Sequence, residues 1–284
     1  MSTGIVFHAI AAIIYLSLAA ALWGMLQAGR SLDQPEKITR WLLLPGLVAH
    51  AVGIDALVLA GGSLHLSWLL ALSVAVWLGL VVFWFESLIV RINGLQLLVL
   101  PFAGVVCALT ALFPGSHLVT SPIESALRGH LLLALGAYGL ITIAAMQSLL
   151  MAALDHHLHH PRDMVNNASG FRKAVGKALD AQPPLLVQER LLFRLIWIAF
   201  AALTLAIISG SLISLATQGN WLPFDHKSVF TVLSWLTFGM LLLGRHRWGW
   251  RGRIALRYTV VGFIFVVFSY TGSRFVIEVL LNRG

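Results

Sequence analysis

Apolar runs of about 20 residues recur along this chain, and that pattern limits its fold more than any motif does. The runs fall near 5–26, 41–60, 66–85, 93–113, 127–152, 193–217, 228–244 and 256–280. A helix needs about 20 apolar residues to cross a hydrocarbon layer of ~30 Å. Inside lipid every backbone N–H and C=O must find a partner within the spanning structure, which helices achieve and open strands do not. Only 11% of the 284 residues are charged, against about 25% in a soluble domain. The expected fold is therefore all-α, a polytopic membrane protein with eight transmembrane helices in one membrane domain over 1–284. No Lys or Arg precedes the first run, so it is expected to be a retained helix and not a cleaved leader.

The positive charge is arranged along the chain, not spread over it. Fifteen of the nineteen lysines and arginines fall in or beside the connections that follow the first, third, fifth and seventh runs. The remaining four are Arg128, Lys227, Arg274 and Arg283. Positive connections stay on the cytoplasmic side. Both termini are thus expected on the periplasmic side, with the loops at 61–65, 114–126 and 218–227. The net charge of +8 reads as orientation in a membrane, and no nucleic-acid partner is expected. The longest connection, 153–192, is expected to be a basic cytoplasmic loop carrying a short amphipathic helix. Arg172, Lys173 and Lys177 are spaced for such a surface helix, and Pro183-Pro184 ends it. Most of the ten tryptophans lie near run ends, the usual interfacial position.

A few polar side chains interrupt this background. His130 stands one turn into the fifth run, and His226 just before the seventh, so both are expected on one face at similar depth. Two neutral imidazoles across a gap are a common axial ligand set for haem iron. Trp221 and Asp225 belong to the same outer loop and could flank such a group. Arg128, Lys227 and Arg274 could contact its propionates, Arg through a bidentate fork. His50 lies mid-run with Asp55 five residues on. That spacing does not bring two side chains together on a helix, so each is expected to find its partner on another helix. His50 is read either as a hydrogen-bonded packing residue or as a haem ligand or relay group. Arg274 and Glu278 can pair with each other at i, i+4.

Other chemistries find no support. His156, His157, His159 and His160 form a histidine run without a zinc-type spacing of carboxylate or cysteine, and a solvated juxtamembrane cluster is expected. The single cysteine, Cys107, permits no intramolecular disulfide. There is no Gly-rich nucleotide loop, no HExxH and no GxSxG. A non-enzymatic protein is expected.

The C-terminal third resembles the cytochrome c assembly family of CcsA, CcmC and HemX type, most of all its YpjD branch of inner-membrane proteins. The resemblance rests on WLPFDHK, on the SW of the seventh run, on GWRGR and on GFIFVVFSYTGSRFV. The string ESALRGHLLLALGAYGLITIAAMQSLL is similar to the family's outer-histidine helix, so His130 matches a family ligand position. The tryptophan-rich segment of that family is reduced here to Trp221 and Asp225. The resemblance implies a multi-pass protein of the bacterial inner membrane with haem as cofactor. It would assist cytochrome c assembly at the periplasmic face, with membrane lipids and other maturation proteins as the partners the resemblance implies. The alternative it allows is a non-enzymatic regulator or scaffold of HemX type that has lost haem transfer, with a cytoplasmic partner. His226 as second ligand is inferred from position, not from the family.

Overall fold

The computed structural model describes residues 3–28, 33–58, 64–89, 94–115, 117–118, 124–159, 170–180, 182–221 and 225–269. Nine helices occur among them. In chain order they are α1 (Thr3–Gln27), α2 (Asp33–Val58), α3 (Trp68–Ile89), α4 (Gln96–Leu112), α5 (Glu124–His159), α6 (Gly170–Asp180), α7 (Leu185–Gln218), α8 (His226–Trp248) and α9 (Arg253–Val267). The fold is all-α and built for a membrane, with one correction to the eight expected spans. Six helices among the described residues are long and apolar enough to cross: α1, α2, α3, α5, α7 and α8. Helix α4 has 17 residues, about 25 Å at the helical rise, short of the ~30 Å core. Helix α9 has 15 described residues, and positions beyond 269, including Tyr270, Arg274 and Glu278, lie outside the described residues.

Several helices outrun their apolar cores because ion pairs stabilise their polar ends. α3 continues through Glu86 to Ile89, where the buried Glu86 carboxylate accepts from Arg194 of α7 at 3.1 Å. α5 continues through Asp155-His156-His157-Leu158-His159 as helix. There His157 Nε2 lies 2.8 Å from Asp180 of α6, and Arg253 of α9 lies 3.2 Å from Asp155. α7 starts at Leu185, and its Glu189 meets Arg245 of α8 at 2.6 Å. These pairs all lie at one end of the bundle, the basic end. The amphipathic α6 packs against α1 there, with Ala178 and Leu179 buried and Lys177 Nζ donating to the Gln27 carbonyl at 2.8 Å.

At the opposite end, two short segments form a feature that periodicity does not reveal. β1 (His65–Leu66) pairs antiparallel with β2 (His117–Leu118), His65 opposite Leu118. We call this the hairpin end. α1 begins there, α2 and α7 finish there, and α5 and α8 start there.

α5 is the hub, packing against α3, α7 and α9, while α1 packs against α2 and α4. The α3–α5 crossing is close because it is built from small residues, as helix contacts in lipid commonly are. A Cβ on Gly79 would come 3.0 Å from the Gly139 carbonyl oxygen, and one on Gly139 would collide with the Ala75 carbonyl. The α8–α9 turn needs glycine at both ends, with φ of 66° at Gly249 and 54° at Gly252. Trp250 packs over Gly244 between them.

Candidate functional site at the hairpin end

Helix periodicity gives α5 two working faces. His130, Ala134 and Tyr138 fall at i, i+4 and i+8, and they line a cavity of about 190 Å³ between α5, α7 and α8. Leu203, Ala206, Ile207 and Gly210 of α7 form one wall, and Thr231 and Val232 of α8 the other. Asp225, Lys227 and Ser228 line it where it reaches the end of the bundle.

A serine of α7 anchors the histidine. Ser209 Oγ donates its only proton to the Ala206 carbonyl at 3.1 Å. It can therefore only accept from His130 Nδ1, 3.0 Å away. With the hydroxyl proton on that carbonyl, Nδ1 carries the ring proton and the lone pair falls on Nε2; the Ala206 carbonyl is itself within hydrogen-bonding reach of the ring. A hydrogen bond on the far nitrogen is how proteins orient an imidazole for a metal. Gly210 leaves room for the ring, since a Cβ there would lie 2.9 Å from His130 Cε1.

The floor is a hydroxyl cluster joining α5, α8 and the end of α9. Tyr138 Oη lies 3.3 Å from Ser269 Oγ, which reaches Thr231 Oγ1 at 2.7 Å and the Lys227 carbonyl at 3.0 Å. At the mouth, Asp225 caps α8 by accepting from the Ser228 N–H at 2.8 Å. Partial burial pushes the Asp225 carboxyl up, but the Ser228 hydrogen bonds and the charge on Lys227 outweigh it. The net effect holds it below the usual carboxylate range.

The expected constellation assembles only in part. His130, Asp225 and Lys227 share the cavity. His226 is exposed at the first turn of α8 and is not among the described lining residues, and Trp221 is 65% exposed. Arg128 lies two residues before His130, about 200° around the helix. It lines a separate cavity on the opposite face of α5, so it does not belong to the His130 site. Arg274 is outside the described residues.

His50 belongs to a different construction. His8 Nδ1 is 2.9 Å from the Gly4 carbonyl, which only accepts, so Nδ1 donates. In the neutral ring His8 Nε2 then accepts, and Ser73 Oγ donates to it at 3.1 Å. Ser73 accepts in turn from His50 Nε2 at 2.8 Å, and His50 Nδ1 accepts from Tyr15 Oη at 3.4 Å. The result is one directed chain through α1, α2 and α3, against which Cys107 of α4 rests 3.5 Å from both ring nitrogens of His50. His8, His50, Tyr15, Ser73 and Cys107 are all 0% exposed. Both ring nitrogens of His50 are thus engaged by protein groups. The interhelical partner expected for it is Ser73. His8, Ser73 and Ser209 were not anticipated. His8 is visible in the sequence as a histidine in an apolar run, whereas the serines carry no such signal. Among the described residues, no group of three or more His, Cys, Asp or Glu side chains is arranged to hold a metal ion.

The His130 cavity offers one imidazole as a donor to a metal-bearing group. Its volume is below the ~300 Å³ at which small-molecule sites begin. It fits a group seated at the mouth better than one enclosed.

Comparison with known proteins supplies the class. The chain is 26% identical to the inner membrane protein YpjD of Escherichia coli K12 over 281 residues, 97% of this chain and 99% of that protein. It is 30% identical over 96 residues to the cytochrome c biogenesis protein CcsA of Gloeobacter violaceus, 34% of this chain and 28% of that one. A stretch of 96 residues is 32% identical to the CcsA protein of Chlamydomonas reinhardtii, 34% of this chain and 27% of that one. No solved structure matches the chain. The family model described as cytochrome C assembly protein matches residues 42–281. That span contains the whole His130 cavity, and the chain belongs to the cytochrome c assembly protein family.

Proposed function

We propose that this is a non-enzymatic haem-binding protein of the inner membrane, which handles haem for cytochrome c assembly at the hairpin end. One observation carries the reading: His130, anchored through Nδ1 by Ser209, lines a cavity that Lys227 also lines. Family membership supports haem as the group, and the relatives named for cytochrome c biogenesis support the process. Haem would supply a redox-active iron there. His130 would be the residue that holds the iron, Lys227 would offer a cation to the carboxylates, and Ala134, Leu203, Ile207 and Val232 would supply apolar surface. The reading rests on His130 alone, because His226 is exposed and outside the lining. The charge asymmetry along the chain supports the hairpin end as the periplasmic side.

The test is haem titration of detergent-purified protein, followed by optical and paramagnetic spectra. His130→Ala should lower bound haem or change the spectrum at unchanged expression and insertion. Ser209→Ala should weaken haem binding about 10–100-fold, the usual cost of losing a ligand-orienting hydrogen bond. No Soret band from loaded wild-type protein, or an identical spectrum in His130→Ala, overturns the reading and favours the scaffold alternative.

A further inference from the structure

The face of α5 opposite His130 lines a second cavity. Arg128, Leu131, Leu132 and Leu135 fall at i, i+3, i+4 and i+7 along it. Ile54 and Asp55 of α2, Trp77 of α3 and the residues around β1 complete the lining of a space of about 290 Å³. This is larger than the His130 cavity and chemically different. Its only charged side chains among the described lining residues are Arg128 and Asp55. The one donor of Trp77 is spent on the Leu47 carbonyl at 2.9 Å, which leaves the indole as apolar wall.

Depth and access point to the occupant. Arg128 lies one turn from the start of α5 and Asp55 one turn from the end of α2, so both stand at the level of lipid headgroups. Leu132 is 55% exposed, which opens the slot to the lipid-facing surface. An apolar slot topped by one cation and one anion matches an amphiphile whose head carries both charges. We propose that this cavity binds a zwitterionic phospholipid with a primary ammonium group. Its phosphate faces Arg128, its ammonium donates to Asp55, and an acyl chain lies along Leu131, Leu135, Ile54 and Trp77. A quaternary ammonium cannot donate to the Asp55 carboxylate, and a head that is only anionic is repelled by it. The site does not depend on the His130 reading.

The test is native mass spectrometry of the full-length protein released from nanodiscs holding equal phosphatidylethanolamine, phosphatidylcholine and phosphatidylglycerol. Wild type should retain phosphatidylethanolamine selectively. Asp55 is exposed, so Asp55→Asn should fold normally and lose that preference roughly tenfold, the scale of a hydrogen bond to a charged group. Leu132→Trp, which fills the slot without touching either charge, should reduce retention of every lipid there. The proposal is overturned by retention proportional to nanodisc composition, by equal retention of phosphatidylglycerol, or by Asp55→Asn behaving as wild type. Displacement of the retained lipid by haem would overturn it too.

Discussion

Gly139→Ala adds one methyl group at the point where α5 crosses α3. The new Cβ would overlap the Ala75 carbonyl oxygen, lie 2.8 Å from its carbon and 3.1 Å from the Gly79 nitrogen. All three are backbone atoms and cannot rotate away. Carbon contacts are optimal near 3.5–4.0 Å, so the two helices must separate by about 1 Å. Overpacking of this kind costs roughly 1–3 kcal/mol, only partly offset by the ~0.8–1 kcal/mol by which alanine favours helix over glycine. The net loss is up to about 2 kcal/mol, or up to roughly 8 °C for a chain of this size at 2–4 °C per kcal/mol. Gly136→Ala is the internal control. It sits three residues away on the same helix, and its Cβ would meet only Leu78 Cδ1 at an ordinary 3.7 Å. Thermal unfolding in one detergent, followed by fluorescence-detected gel filtration, compares the two. Gly139→Ala should melt lower than wild type and Gly136→Ala at or slightly above it. Equal melting of the two variants would refute the close-crossing argument. Because α5 carries both cavities, Gly139→Ala should also disturb haem and lipid retention together, whereas His130→Ala and Asp55→Asn affect them separately.

Two further outcomes follow from the polar contacts. Ser73→Ala removes the hydroxyl that joins His8 to His50. Hydrogen bonds between membrane helices contribute about 0.6 kcal/mol each and up to ~1.7, so a loss of about 1–3 kcal/mol should appear as a lower melting point with haem binding unchanged. Asp225→Ala removes the cap of α8 at a cost of about 1 kcal/mol near neutral pH. The depressed Asp225 carboxyl contributes stability that is complete above about pH 4, the ordinary carboxylate range. That contribution is lost as the pH falls through the lower folded-state value. The melting gap between wild type and variant should accordingly close on acidification below pH 4, and a gap that persists there would refute the capping account.

Hydropathy alone determined that this chain is a set of membrane helices, because lipid leaves the backbone no other partner than its own helix. It overcounted full spans, since α4 is apolar but too short. It also cut α3, α5 and α7 short at charged residues that tertiary ion pairs stabilise, such as Glu86 with Arg194. His130 was legible as an imidazole near the end of an apolar run. The opposition of Arg128 to His130 was legible too, since positions two apart on a helix diverge by about 200°. Tertiary structure alone decided what holds each histidine. Ser209 lies 79 residues from His130, and Ser73 lies 65 residues from His8. A serine hydroxyl is too small and too common in membrane helices to mark its own partner. The same holds for the β1–β2 pairing, two residues on each strand, which carries no periodicity at all. Spacing along a helix assigns a residue to a face. What that face meets depends on contacts made by distant parts of the chain, and only packing brings those together.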